Sequence, residues 1–326
     1  MKRRAPVLDR IYVGDAEQVL RGWPSGFVDL CVTSPPYFQL RDYGHQDQIG
    51  LEETPEEYIR RLVAVLEQAG RVLRPGGSLY LNLGDTYRGK SLLGIPWRVA
   101  TELTGRGWYL RNAIVWYKPY GLPSAIKDRL TNRYEFVFHL TRSRRYFFNL
   151  DPIRIPNTSR RRRLTGPVRR GAQGLNHRPG LLVAGNFIPN PKGKNPGDVW
   201  TIGPESRPKQ YIAPGETTHF APFPEELVSR PVLAASRPGE VVLDPFIGSG
   251  TTALVARRLG RRFLGIELVA AYARLAERRI ERERCLRRCG RRSLTACVDR
   301  STRNGRLPGS NRAKSDLSFS DLAETT

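Results

Sequence analysis

Val241-Val242-Leu243-Asp244-Pro245-Phe246-Ile247-Gly248-Ser249-Gly250-Thr251-Thr252 is the stretch that decides the fold. An apolar run ends on an acid and passes through a Gly-x-Gly turn. It then enters a helical segment, Thr251–Leu259, closed by Gly260. Strand, tight loop and helix start follow from that order. Glycines at 248 and 250 let a ligand approach the backbone, and the free amides of a helix start favour a carboxylate or phosphate. The next apolar run, Phe263–Ile266, ends on Glu267, 23 residues beyond Asp244. An acid at that strand end suits ribose hydroxyls. No Gly-Lys-Ser/Thr follows the glycines, so the loop is not a P-loop.

Working outward, the same alternation recurs. Arg10–Val13 and Phe27–Val32 read as buried strands, ending at Gly14-Asp15 and at Thr33-Ser34-Pro35-Pro36-Tyr37. Thr54 caps a helix with Pro55 in its first turn and Glu57 completing a capping box, and Pro75-Gly76-Gly77 stops it. Strands are expected at Ser78–Leu83, Ala113–Tyr117, Glu135–Leu140 and Glu240–Leu243, with a short return strand at Arg144–Phe148. Helices are expected from Ile95-Pro96, over Pro224–Leu233 and over Ala270–Arg284. Such alternation means crossovers and a mostly parallel sheet, with ligands at the carboxyl ends of its strands.

Ser34-Pro35-Pro36-Tyr37 carries the second chemical signal. Two prolines after a strand stiffen the loop and remove two backbone donors. What remains is carbonyls facing outward as acceptors, the Ser34 hydroxyl and the Tyr37 ring. Acceptors beside a stacking platform suit a planar group bearing NH2, such as a flipped cytosine or adenine. For the tetrapeptide alone, a proline turn with a structural tyrosine stays open.

Composition narrows the partner. Among 326 residues, 54 Lys and Arg against 31 Asp and Glu give a net charge of +23. A field this positive attracts polyanions, of which nucleic acid is the commonest in a cytoplasm. Between Pro152 and Gly197 stand ten Lys or Arg and no acid, including Arg160, Arg161, Arg162, Arg163, Arg169 and Arg170. Those arginines are the expected phosphate contacts. No apolar run is long enough to span a membrane and Met1–Arg10 has no signal-like stretch, so a cytoplasmic location is expected. Cys31, Cys285, Cys289 and Cys297 show no zinc-site spacing and read as reduced thiols, so no metal is expected.

The two motifs together resemble the amino-methyltransferases of DNA in the permuted beta arrangement, in which the catalytic motif precedes the cofactor motif. In that family Asp/Asn/Ser-Pro-Pro-Tyr/Phe is the catalytic loop and Asp-Pro-Phe-x-Gly-Ser-Gly-Thr the S-adenosylmethionine loop. Also similar are Gly14-Asp15, Arg74-Pro75-Gly76-Gly77, Trp116-Tyr117-Lys118-Pro119 and His219–Leu227. The likeness runs from about Ile11 to Ile280, apart from the Arg-rich insertion.

It implies a Rossmann-like α/β class I methyltransferase with a mostly parallel seven-stranded sheet, one strand antiparallel, and helices on both faces. The implied divisions are 1–119 as the catalytic half, 120–216 as a target-recognition insertion, 217–284 as the cofactor half and 285–326 as a basic tail. By the same likeness Ser34, Pro35, Pro36 and Tyr37 form the catalytic loop. Asp15, Phe220, Pro222, Phe223, Asp244, Pro245, Phe246, Gly248, Ser249, Gly250, Thr251 and Glu267 would hold S-adenosylmethionine. Double-stranded DNA is the implied partner. A restriction endonuclease of the same site is a companion that need not bind, and both monomer and dimer stay open. Ser rather than Asp at position 34 points to N4 of cytosine. N6 of adenine comes second, and an RNA methyltransferase or a non-catalytic DNA-binding relict further behind.

Overall fold

In the computed structural model the described residues are 3–120, 125–157, 190–204 and 224–289. In chain order they form β1 (Arg10–Val13), α1 (Ala16–Arg21), β2 (Val28–Thr33), α2 (Pro55–Val72), β3 (Leu73–Leu83) and a small hairpin of β4 (Tyr87–Arg88) and β5 (Ser91–Leu92). Then come α3 (Ile95–Gly105), β6 (Tyr109–Tyr117), β7 (Tyr134–Thr141), β8 (Val199–Thr201), α4 (Glu225–Ala235), β9 (Val241–Asp244), α5 (Thr251–Arg258), β10 (Arg262–Glu267) and α6 (Ala270–Cys289). Met1–Ile280 is one unit by its contacts, and Glu281–Thr326 groups apart and is described only through Cys289.

Among the described residues the sheet has eight strands in the order β1-β10-β9-β2-β3-β7-β6-β8, and only β7 opposes its neighbours. The expected seven become eight because β8 pairs in parallel with β6, Trp116 beside Trp200. Three residues amid Gly, Pro and Asn carry no usable period, so sequence could not show it. The expected strand over Arg144–Phe148 is absent. Both edges of β7 are already taken by β3 and β6. The segment instead packs aromatic rings on His139, Tyr146 edge-on at 5.4 Å and Phe148 stacked at 6.1 Å. β1, read as buried, is an edge strand with only Ile11 buried. The span 120–216, expected as an insertion, itself supplies β7 and β8 to the sheet.

Side-chain alternation explains the layers. Along β2, Cys31 enters one core with Leu20, Tyr58, Leu62 and Val99, while its neighbours Leu30 and Val32 enter the other with Val228, Ala253 and Ala276. Helices α1, α2 and α3 therefore cover one face and α4, α5 and α6 the other. Helix α2 begins as expected, Thr54 Oγ1 accepting from the Glu57 amide at 3.3 Å. Its expected stop differs, because the chain enters β3 at once. Arg74–Gly77 forms a bulge, Val28 pairing with Leu73 but Leu30 with Ser78. A Cβ at Gly77 would lie 2.8 Å from the Asp29 carbonyl, so the bulge admits only glycine there.

The crossovers decide where a ligand can sit. From β9 the chain crosses by α5 to β10 on one side, and from β2 by α2 to β3 on the other. Connectivity reverses between β9 and β2, which are neighbours through Cys31 and Leu243. A crevice opens where the two loops diverge. No helix among the described residues is long and apolar enough to cross a membrane.

Candidate active site

The loop after β2 and the loop after β9 meet across that reversal through Asp244. Its Oδ1 accepts from the Thr33 hydroxyl at 2.7 Å and from the Phe246 amide at 3.1 Å, and its Oδ2 from the Thr252 hydroxyl at 2.6 Å. Burial raises its carboxyl to about 6, against the pull of those donors. Asp244 is fully buried and lies behind the wall of the crevice, fastening the Ser-Pro-Pro-Tyr loop to the glycine loop.

The crevice holds a cavity of about 330 Å³. Its lining brings together the predicted Ser34, Pro35, Pro36, Tyr37, Asp15, Pro245, Phe246, Gly248, Ser249, Thr251 and Glu267. Gly250 sits behind it at φ 84°, where a Cβ would stand 2.8 Å from that of Ala276. Asp15 caps α1 by accepting from the Gln18 amide at 2.9 Å. Glu267 accepts from the Gly248 and Val269 amides, each at 2.9 Å. Burial raises it to about 7, opposed by those amides. The predicted Phe220, Pro222 and Phe223, like Arg160–Arg163, Arg169 and Arg170, lie outside the described residues.

Two groups of lining residues were not read from sequence. One is the loop after Tyr37, which contributes Leu40, Arg41, Tyr43, Gln48 and Ile49. Phe38 anchors it on the Tyr58 ring at 5.6 Å. Gln48 ties it internally, accepting from the Tyr43 amide at 2.7 Å and donating to the Arg41 carbonyl at 3.1 Å. Arg61 braces it from α2 through Glu52 at 2.7 Å. The other group is Asn82, Trp116, Lys118 and Glu135, from the ends of β3, β6 and β7. The Lys118-Pro119 pair after a strand was the one visible hint of it.

At the Ser34-Pro35-Pro36-Tyr37 loop the polar groups are dense. Ser34 Oγ is 3.2 Å from Tyr37 Oη, which donates to Glu135 Oε2 at 2.6 Å. Asn82 Nδ2 lies 2.7 Å from Tyr37 Oη, 2.8 Å from Glu135 Oε2 and 3.2 Å from Ser34 Oγ. Lys118 pairs with Glu135 and covers the Trp116 ring at 4.4 Å. The Pro36 carbonyl, expected to face outward, is turned inward to accept from the Tyr58 hydroxyl at 2.8 Å. Cys31 is fully buried, and burial with the Asp244 charge pushes its thiol well up, which makes it an inert core residue. Cys285, expected reduced, is disulfide-bonded.

The lining fits S-adenosylmethionine. Thr251 Oγ1, at the start of α5, and Arg41 Nη1 are buried with no partner among the described residues. A hydroxyl at a helix start and a guanidinium N–H lining the same cavity suit a carboxylate. Glu267, an acceptor at the end of β10, suits a ribose.

The model of a family described as DNA methylase, N6_N4_Mtase, matches residues 28–278. The Type II methyltransferase M.Cfr9I of Citrobacter freundii is 36% identical over 302 residues, covering 84% of this chain and 88% of the relative. Among solved structures, the PvuII DNA methyltransferase (cytosine-N4-specific) shares the fold with a TM-score of 0.65 at 21% identity, over 92% of this chain and 93% of that one. A Thermus thermophilus protein described as a DNA modification methylase, complexed with S-adenosyl-L-methionine, matches with a TM-score of 0.54 at 29% identity, over 84% of this chain and 95% of that one.

Proposed function

Because the chain belongs to the N6_N4_Mtase family of DNA methylases, we propose that it is the modification enzyme of a type II restriction-modification pair and that its target is N4 of cytosine in double-stranded DNA. S-adenosyl-L-methionine is the cofactor, and it supplies a methyl group activated on a sulfonium. Asp15, Phe246, Gly248, Ser249, Thr251 and Glu267 would hold it, with Asp244 fixing the loop from behind. Phe220, Pro222 and Phe223 are proposed for the same pocket. Arg160–Arg163, Arg169 and Arg170 are proposed to contact phosphates.

What supports cytosine over adenine is serine rather than aspartate at position 34, which lines this cavity. The amino nitrogen of cytosine is a weak nucleophile because its lone pair is delocalised into the ring. An N–H···O bond to Ser34 Oγ, and a second to the Pro35 carbonyl, favour a tetrahedral nitrogen whose lone pair leaves the ring plane. Those acceptors also stabilise the positive charge that develops on nitrogen. Holding the base and the methyl group in line supplies most of the acceleration. The target base must leave the helix to reach Ser34, and Tyr37 gives it a ring to meet. Cys31 offers no accessible thiolate, in keeping with attack by nitrogen rather than at a ring carbon.

Ser34→Ala tests this reading. Methyl transfer to cytosine-containing duplexes should fall by more than about 100-fold, with S-adenosylmethionine affinity retained in a calorimetric titration. Unchanged turnover would remove Ser34 from the mechanism.

A further inference from the structure

A serine hydroxyl can offer the target amine either a lone pair or a proton, and only the lone pair helps. The cluster around Ser34 contains the groups that decide between them. Tyr37 Oη has one proton, and its 2.6 Å bond to Glu135 commits that proton to an acceptor with none of its own to give. Burial and the Glu135 charge push the Tyr37 phenol up, so it keeps the proton. Geometry alone leaves the Ser34–Tyr37 contact at 3.2 Å open in direction. With the tyrosine proton spent, Ser34 must be the donor and Tyr37 the acceptor. Asn82 Nδ2, which can only donate, faces Ser34 Oγ at 3.2 Å and adds no competing acceptor. The serine proton therefore points into the cluster, and its oxygen turns a lone pair to the cavity.

We propose that Glu135, held by Lys118, is a positioning residue that sets the direction of the Ser34–Tyr37–Glu135 hydrogen-bond chain, so that Ser34 accepts from the amino group of the base. This rests on the reading that Ser34 faces that amine. Lys118 contributes in two ways: it pairs with Glu135, and it lies over the Trp116 ring, which fixes its own position. Asn82 is buried at 3% exposure, and its two N–H groups lie within reach of all three oxygens, closest to Tyr37 and Glu135, which keeps the cluster in one geometry.

Glu135→Gln is the direct test, since it keeps the shape and adds a donor. The Gln NH2 can donate to Tyr37, Tyr37 can then donate to Ser34, and the serine proton is free to face the base. The expected result is a fall in kcat of about 10- to 100-fold, with affinities for S-adenosylmethionine and duplex DNA within about twofold of wild type. Tyr37→Phe cuts the chain, so Glu135→Gln in that background should cost less than about threefold more. An unchanged kcat in Glu135→Gln, or an equal loss in both backgrounds, overturns the proposal, because a mere strut would act independently of Tyr37. Ser34→Ala in the same assay separates the two levels. Turnover surviving in Ser34→Ala would sink the reading beneath. An inactive Ser34→Ala beside a fully active Glu135→Gln would sink only the orienting role.

Discussion

Thr33 and Asp244 show how single side chains hold two loops 211 positions apart in the chain. Thr33→Val removes a hydroxyl at similar shape and leaves Asp244 Oδ1 with one donor fewer inside the core. A loss of about 1–3 kcal/mol in urea unfolding is expected. Gly84 serves Tyr37 in another way, since a Cβ there would come within 2.6 Å of the Tyr37 ring. Gly84→Ala should therefore displace the ring and reduce kcat at least about tenfold, with little change in S-adenosylmethionine affinity. Glu267 gives opposite pH signatures for stability and binding. Its carboxyl titrates near 7 when folded, above its ordinary 4.5. Its share of stability is thus complete below the ordinary value and lost as pH rises through about 7. The thermal stability of Glu267→Gln relative to wild type should accordingly increase between pH 6 and pH 8 (roughly the span of that titration). Cofactor affinity should move the other way, weakening in wild type as the pH falls through that range and staying flat in Glu267→Gln. Asp244 and Glu267 were legible in sequence because each is an acid that closes an apolar run.

At the scale of elements, the strands and helices that carry the two motifs could be read directly, since apolar runs closed by Gly or Pro give both type and limits. Asn82, Lys118 and Glu135 could not be assembled that way. They meet only because β7 runs antiparallel between β3 and β6, pairing Asn82 with Val137 and Trp116 with Glu135. Register across three strands is a tertiary fact, and no local period encodes it. The loop after Tyr37 was equally silent, its order coming from the Gln48, Glu52 and Arg61 bonds rather than from any repeat. Helix α2 supplies a test in which packing opposes propensity. Gly70, in the last turn of α2, would gain at most about 1 kcal/mol on change to Ala, but the new Cβ would meet the Trp108 ring at 2.4 Å. Gly70→Ala should therefore destabilise the chain in chemical denaturation, and Trp108→Phe should relieve part of the loss.

For the whole molecule, the net charge of +23 is the term expected to draw it to DNA. It was legible from composition alone, whereas the base sequence recognised depends on contacts that composition does not encode. Neutralising phosphates releases counterions, so affinity for duplex DNA should fall linearly on a log–log plot against salt. Changing Arg160–Arg163 to Ala together should reduce that slope by about 3 to 4, at roughly 0.9 per phosphate contact. An unaltered slope would remove those arginines from the interface. The sheet places cofactor loop, Ser34 and the Glu135 cluster around one cavity, and everything proposed for the chain depends on what is methylated there. Nucleoside mass spectrometry of plasmid DNA from cells expressing the chain, beside a Ser34→Ala control, measures that directly. N4-methylcytosine in the wild type alone is the predicted result. N6-methyladenine in its place would contradict the reading of Ser34, and DNA without any modified base would contradict the proposed activity itself.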